Sequence, residues 1–80
     1  MERSTLLRTV GKNIAIQRLM KDISQKELAE LCKKQAGMLS NIEKGNTNLT
    51  IHTLYDIATA LNVDVKELFN TIEFVENQNS

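Results

Sequence analysis

The chain of 80 residues has no proline, no tryptophan, one tyrosine, two phenylalanines, three glycines, one cysteine and one histidine. Without proline, nothing forces a break in an α-helix, so breaks must come from glycine, capping side chains or packing. With so few rings and 41% hydrophobic residues the core must be aliphatic and modest, which at this length means one compact module spanning residues 1–80. Cys32 cannot close an internal disulfide, and Cys32 with His52 falls short of the three or four ligands of a usual zinc site; neither a metal nor a cofactor is expected. No stretch approaches the ~18 apolar residues of a membrane span, and the opening MERSTLLRTVGK lacks the apolar centre of a signal peptide. A cytoplasmic protein with no membrane partner is expected.

Net charge is also missing: ten basic and ten acidic residues cancel. That balance argues against a generic polyanion binder, but the distribution is uneven. Up to Gly45 nine Lys/Arg face five acids, a net +4; from Asn46 onward one Lys faces five acids, a net −4. A chain polarised in this way can turn one basic surface to an anionic partner while remaining neutral as a whole.

What is present is helical spacing nearly throughout. Leu7, Val10 and Ile14 recur at three and four residues and predict a first helix from about Thr5 to Lys21. Ser24 with Glu27 forms a capping box that opens a second helix carrying Leu28, Leu31 and Cys32. A third is predicted from about Gln35 to Lys44, with Leu39 and Ile42 inward and Gly45 placed for a left-handed cap. Thr50 caps a fourth bearing Ile51, Leu54, Ile57, Ala58 and Leu61, and Asp64 with Glu67 suggests a second capping box opening a short fifth helix with Val65, Leu68 and Phe69. The tail, residues 70–80, carries Ile72, Phe74 and Val75 and then turns polar. On a 100° wheel Leu39 and Ile42 point one way while Ala36, Gly37, Ser40, Asn41 and Lys44 lie on the other side. This outward face is small and polar. It suits entry into the major groove, where Asn and Gln pair with adenine and Ala meets the thymine methyl, although on spacing alone a solvated helix face fits equally well.

From Ser24 to Gly45 the chain reads SQKELAELCKKQAGMLSNIEKG, followed by NLTIHTLYDIATALNVDVKELF. With its Ser-Gln, Leu-Ala, Ile-Glu-x-Gly and Leu-x-x-Ile-Ala-x-Ala-Leu elements at consistent spacings, it resembles the Cro/repressor-type helix-turn-helix regulators, the xenobiotic-response-element family. The resemblance covers about Val10 to Phe69, with the helix-turn-helix core at 24–45. It implies an all-α, five-helix, lambda-repressor-like DNA-binding domain, bacterial or phage-encoded. Gln35, Ala36, Gly37, Ser40 and Asn41 match the positions from which the family reads bases. Gln25, Lys33, Lys34, Lys44, Thr47 and Asn48 are placed for phosphates, and Arg18 with Glu43 matches a structural ion pair. The implied function is a transcription regulator, repressor or activator, that binds a roughly palindromic operator on double-stranded DNA as a homodimer and touches RNA polymerase or another protein partner; prophage repressors and restriction-modification controller proteins look similar. An alternative is a protein-interaction module of the same fold, an antitoxin or antirepressor partner with weak DNA binding.

Three departures from the family pattern stand out. Cys32-Lys33 replaces a small Ala-Gly pair in the turn, with Cys32 read as a small buried hydrophobe; Lys34 follows where an apolar residue is usual; and Asp22 replaces a glycine between the first two helices, where Asp tolerates left-handed angles. Gly37 is read as a helix-interior glycine, which costs ~1 kcal/mol relative to Ala, so that it either admits close approach of the DNA backbone or bases or is merely tolerated. Ile16, Leu19 and Met20 share a face of the first helix nearly opposite Leu7, Val10 and Ile14, with polar Gln17 in a commonly apolar place. This second face needs a cover, either the tail residues Ile72, Phe74 and Val75 or another protein. Residues Leu61 to Val75 are the expected dimer surface. His52, flanked by Thr53 and Asp56, meets no convergent nucleophile, base and oxyanion donor, so no enzyme is expected.

Overall fold

The computed structural model describes residues 2–70. Four α-helices, α1 (Arg3–Met20), α2 (Gln25–Leu31), α3 (Ala36–Lys44) and α4 (Ile51–Leu61), are followed by a 3-10 segment, Val65–Phe69, with no strand among the described residues. α1 packs mainly on α3 and the 3-10 segment, and α2 lies on α3 and α4. Val10, Ile14, Leu28, Ala29, Cys32, Leu39, Ile42, Leu54, Ile57, Ala58, Leu61 and Leu68 form one buried aliphatic core.

The starts of the helices follow their capping side chains. Ser24 Oγ accepts from Glu27 N at 3.0 Å while Glu27 returns a carboxylate to Ser24 N at 2.8 Å, and Thr50 Oγ1 accepts from Thr53 N at 3.1 Å. Their ends share one device. The chain turns left-handed at Asp22, Lys33, Gly45 and Asn62, with φ of 58°, 59°, 74° and 58°, and the next amide reaches back five residues, to Arg18, Ala29, Asn41 and Ala58 respectively. Each such pair satisfies carbonyls that the helix leaves open. Glycine, Asn and Asp adopt this conformation readily; Lys33 does so against the steric preference of its Cβ.

The fifth element differs from its expectation. Val65–Phe69 is a single 3-10 segment, and Asp64 accepts from Lys66 N at 3.1 Å instead of closing a box with Glu67. Five residues between the turn at Asn62 and the anchor on α1 are too few for a sustained α-helical ladder. The anchor is Asn13, buried in α1, whose Nδ2 donates to Leu68 O at 2.9 Å and also to Asn70 O.

Several apolar residues sit elsewhere than their spacing suggests. Leu31, the last residue of α2, is 60% exposed, because the inward direction set by Leu28, Ala29 and Cys32 lies about a quarter turn away. Ile51, the first residue of α4, is 80% exposed beyond the edge of the core, and Leu7 is half-buried. Ile16, Leu19 and Met20 are exposed, the last two at 64% and 73%. Leu61, expected in a dimer surface, is fully buried core; Phe69 is exposed; Ile72, Phe74 and Val75 lie outside the described residues.

Candidate nucleic-acid interface

α3 is nine residues long, about 13 Å at 1.5 Å per residue. Leu39 and Ile42 hold it from beneath, both buried. At its far end α1 comes into backbone contact: a Cβ placed on Gly11 would lie 2.2 Å from Ile42 O and 2.8 Å from Glu43 O. Only a residue without a side chain lets the two backbones meet there.

A three-element clamp closes on Glu43. Arg18 Nε donates to Glu43 Oε2 at 2.8 Å and Arg18 Nη2 to Glu43 Oε1 at 3.1 Å, a two-pronged pair whose side chains are 12% and 7% exposed. Arg18 Nη1 donates to Ile23 O at 2.9 Å and Gln25 Nε2 donates to Glu43 Oε1 at 3.0 Å. One carboxylate thus joins the end of α1, the turn after it, the start of α2 and the end of α3. The hydrogen bond to Glu43, opposed by burial and aided by the carboxylate's charge, pushes the Arg18 guanidinium further up from its already high value, so it stays charged throughout the working range.

The opposite side of α3 is open. Gln35, the N-cap, is exposed with Ala36, Gly37, Asn41 and Lys44, and Ser40 at the border of this face is half-buried. α3 begins one residue later than its spacing suggests, because Gln35 is extended and its carbonyl already accepts from Met38 N and Leu39 N. Lys33 is exposed beside this face, and Asn48 is exposed in the loop after α3 next to half-buried Thr47.

Two of the residues expected to meet phosphate have partners within the chain. Lys34 Nζ lies 3.3 Å from Asp56 Oδ2 of α4, which offsets part of its charge. Gln25 gives one amide hydrogen to Glu43, and among the described residues the other has no partner. Cys32 is buried on Ala29, and loss of solvent pushes its thiol up, a small apolar filler and not a ready nucleophile.

Sequence reasoning missed Gly11 and Asp56 as parts of the surroundings of this face, and Asn13 as the anchor of the last segment. Gly11 did carry a signal, since a glycine inside a long helix is unfavourable and asks for a packing reason. Asn13 and Asp56 carried none, because their partners are 55 and 22 positions away. Among the described residues no three His, Cys, Asp or Glu gather as a metal site needs, and no helix is long and apolar enough to cross a membrane.

Comparison with known proteins bears on the same segment. The sequence model of the helix-turn-helix family matches residues 14–68. An uncharacterized HTH-type transcriptional regulator of Sinorhizobium fredii, y4dJ, is 39% identical over 59 residues, 74% of this chain and 77% of the relative. Among solved structures, the restriction-modification controller protein C.AhdI of Aeromonas hydrophila superposes with a TM-score of 0.77 at 30% identity, over 79% of this chain and 96% of its own. The clp gene regulator ClgR of C. glutamicum superposes at 0.78 and 26%, over 80% and 82%.

Proposed function

The chain belongs to the helix-turn-helix family of transcriptional regulators, and from that premise we propose that it is a sequence-specific DNA-binding regulator that lays α3 in the major groove of a roughly palindromic operator as a homodimer. The observation that carries this reading is the division of α3. Its inner side is fixed by Leu39, Ile42, the Gly11 contact and the Glu43 clamp, while Gln35, Ala36, Gly37 and Asn41 stand free on the outer side. A rigid helix with a small polar outer face is what reading base edges requires.

In this reading Gln35, Ala36, Gly37, Ser40 and Asn41 meet bases. Gln25, Lys33, Lys34, Lys44, Thr47 and Asn48 hold the backbone on either side, with Lys34 the weakest of them because Asp56 competes for its charge. One module meets too few bases for tight selectivity; two related by a twofold axis read half-sites ~34 Å apart. The two copies meet through the face of the last segment, where exposed Phe69 closes an apolar groove of about 190 Å³ with Leu6, Ile51 and Leu54. Bound at a promoter, the dimer represses by blocking RNA polymerase or activates by touching it. The likeness to C.AhdI, a controller protein, supports a regulatory role of this kind.

Selection from random duplexes followed by footprinting tests the reading. A favoured duplex is expected, with Asn41→Ala relaxing preference at one position for a loss of ~1 to 3 kcal/mol and Lys44→Ala weakening all sequences alike. Identical footprints for both variants would overturn the assigned roles. The exposed Ile16, Leu19 and Met20 favour a second reading, a docking module that grips a protein partner and binds DNA weakly. A salt titration separates the two. A DNA reader loses affinity steeply with salt and keeps its sequence preference, and a docking module does neither.

A further inference from the structure

α1 presents two apolar faces, and only one of them is filled. Val10 and Ile14 are buried in the core, whereas Ile16, Leu19 and Met20 are 36%, 64% and 73% exposed. Apolar side chains standing together in water are unfavourable, so this face calls for a cover. The charge of the helix sets a second condition on that cover. Arg3–Met20 holds Arg3, Arg8, Lys12 and Arg18 and no acid, and of these four only Arg18 has an ionic partner among the described residues. Lys12, exposed, stands one turn before Ile16, and exposed Lys21 follows Met20. A segment that is both apolar and acidic fits such a face.

The chain carries one, and its point of departure is fixed on α1 itself. Asn13 Nδ2 donates to Leu68 O at 2.9 Å and also to Asn70 O, and Asn70 is extended, with φ −66° and ψ 137°. The chain therefore leaves α1 at Asn13, one turn ahead of Ile16 and two ahead of Met20 on the same side of the helix. From Asn13 to Met20 is about 10 Å along the axis. Five extended residues after Asn70 reach about 17 Å, so Ile72, Phe74 and Val75 are all within range of that face. Glu73 and Glu76 are interspersed with them, and residues 71–80 contain no Lys, Arg or His. We propose that residues 71–76 dock along the C-terminal half of α1, with Ile72, Phe74 and Val75 over Ile16, Leu19 and Met20 and the two acids drawn to Lys12 and Lys21. The occupant of the face is the chain's own tail, which braces the helix that holds α3 through Gly11 and Arg18 and closes the face to other partners.

Methionine methyl groups read the contact in the full chain. With the methionine ε-methyls labelled with carbon-13, the Met20 signal should lie upfield under the Phe74 ring and show a nuclear Overhauser effect to it. In Phe74→Ala the Met20 signal should move to the position of an exposed methionine, while Met38 on α3 keeps its shift and so reports an intact fold. Mixing labelled with unlabelled chains separates the occupants, since the effect should arise within one chain and persist on dilution. Docking of the tail is overturned if Met20 of the wild type already resonates as an exposed methionine or if Phe74→Ala leaves its signal in place. It is overturned too if the effect runs only between differently labelled chains, which gives the face to a second copy.

Discussion

Among single residues, those whose partners are few and buried have the largest effects. Glu43 receives three hydrogen bonds, from two nitrogens of Arg18 and from Gln25. Glu43→Ala leaves the Arg18 guanidinium without its counter-charge in a site where it is 12% exposed, and should destabilise the fold by ~3 kcal/mol in urea titration. Arg18→Met should cost a similar amount, since it leaves the buried Glu43 carboxylate with Gln25 alone just as Glu43→Ala leaves the guanidinium with Ile23 O alone. Lys33 makes the opposite case. Its φ of 59° suits glycine, so Lys33→Gly should raise stability by up to ~1 kcal/mol after the added freedom of the unfolded chain is deducted. If Lys33 touches phosphate, the same variant lowers the slope of log affinity against log salt by about 1. A gain in stability with an unchanged slope would leave the turn argument intact and remove Lys33 from the interface. Cys32 adds a dependence on pH. With the folded thiol pushed up by burial, the unfolded chain ionises first, so this contribution is complete below the ordinary thiol value and is lost as pH rises through the folded one. The fall in stability at alkaline pH should therefore be shallower for Cys32→Ala than for the wild type.

At the scale of elements, α1 carries more of the site than its distance from the outer face of α3 suggests. Gly11→Ala puts a carbon 2.2 Å from a backbone oxygen, and neither partner is a flexible side-chain tip. The helices must part, at a cost of ~1 to 3 kcal/mol, and α3 must shift on its bed. Affinity for the selected duplex should fall by more than the loss of folded protein accounts for, whereas Gly37→Ala, whose added Cβ meets nothing within 4 Å, should leave the fold untouched; equal effects of both on melting would contradict this picture. The contrast between these two glycines also marks what the sequence disclosed. Helix starts were legible because Ser24 and Thr50 act on amides three residues away, and the ends at Asp22, Gly45 and Asn62 carry residue types that tolerate a left-handed turn. Leu31 lies about a quarter turn from the inward direction of Leu28, Ala29 and Cys32, whereas Ile51 has the right direction but lies beyond the edge of the core, which a wheel does not show. The last segment was read as α-helical because Asp64 and Glu67 have the spacing of a box; the grip of Asn13 on the carbonyls of Leu68 and Asn70, across more than fifty positions, left no signal in the pattern. Of the candidate interface, the outward direction of Asn41 and Lys44 followed from periodicity, while the pairing of Lys34 with Asp56 depended on how α2 and α4 meet.

At the scale of the whole molecule, charge and shape set opposing demands. The half of the chain that holds α1 to α3 has a net charge of +4 and the half from Asn46 onward −4. α3 therefore meets DNA from the basic half, whereas the groove around Phe69 is lined from both halves, by Leu6, Leu7 and Val10 of α1 and by Leu49, Thr50, Ile51 and Leu54. These two associations should therefore differ in their response to salt. Raising ionic strength from about 0.1 to about 1 M shortens the Debye length from about 10 to about 3 Å. The monomer–dimer constant in sedimentation equilibrium should change little, since the groove is apolar and lined from both halves, while affinity for the duplex falls steeply as counterions compete for phosphate. Phe69→Glu should abolish the dimer at both salts and leave the melting temperature nearly unchanged, since Phe69 is 41% exposed and Leu68 beside it fills the core. A chain that stays monomeric at tens of micromolar under both conditions, and binds a single half-site no less tightly than the full palindrome, would refute the twofold arrangement. A dimer that survives Phe69→Glu would move the contact to the exposed Ile16, Leu19 and Met20.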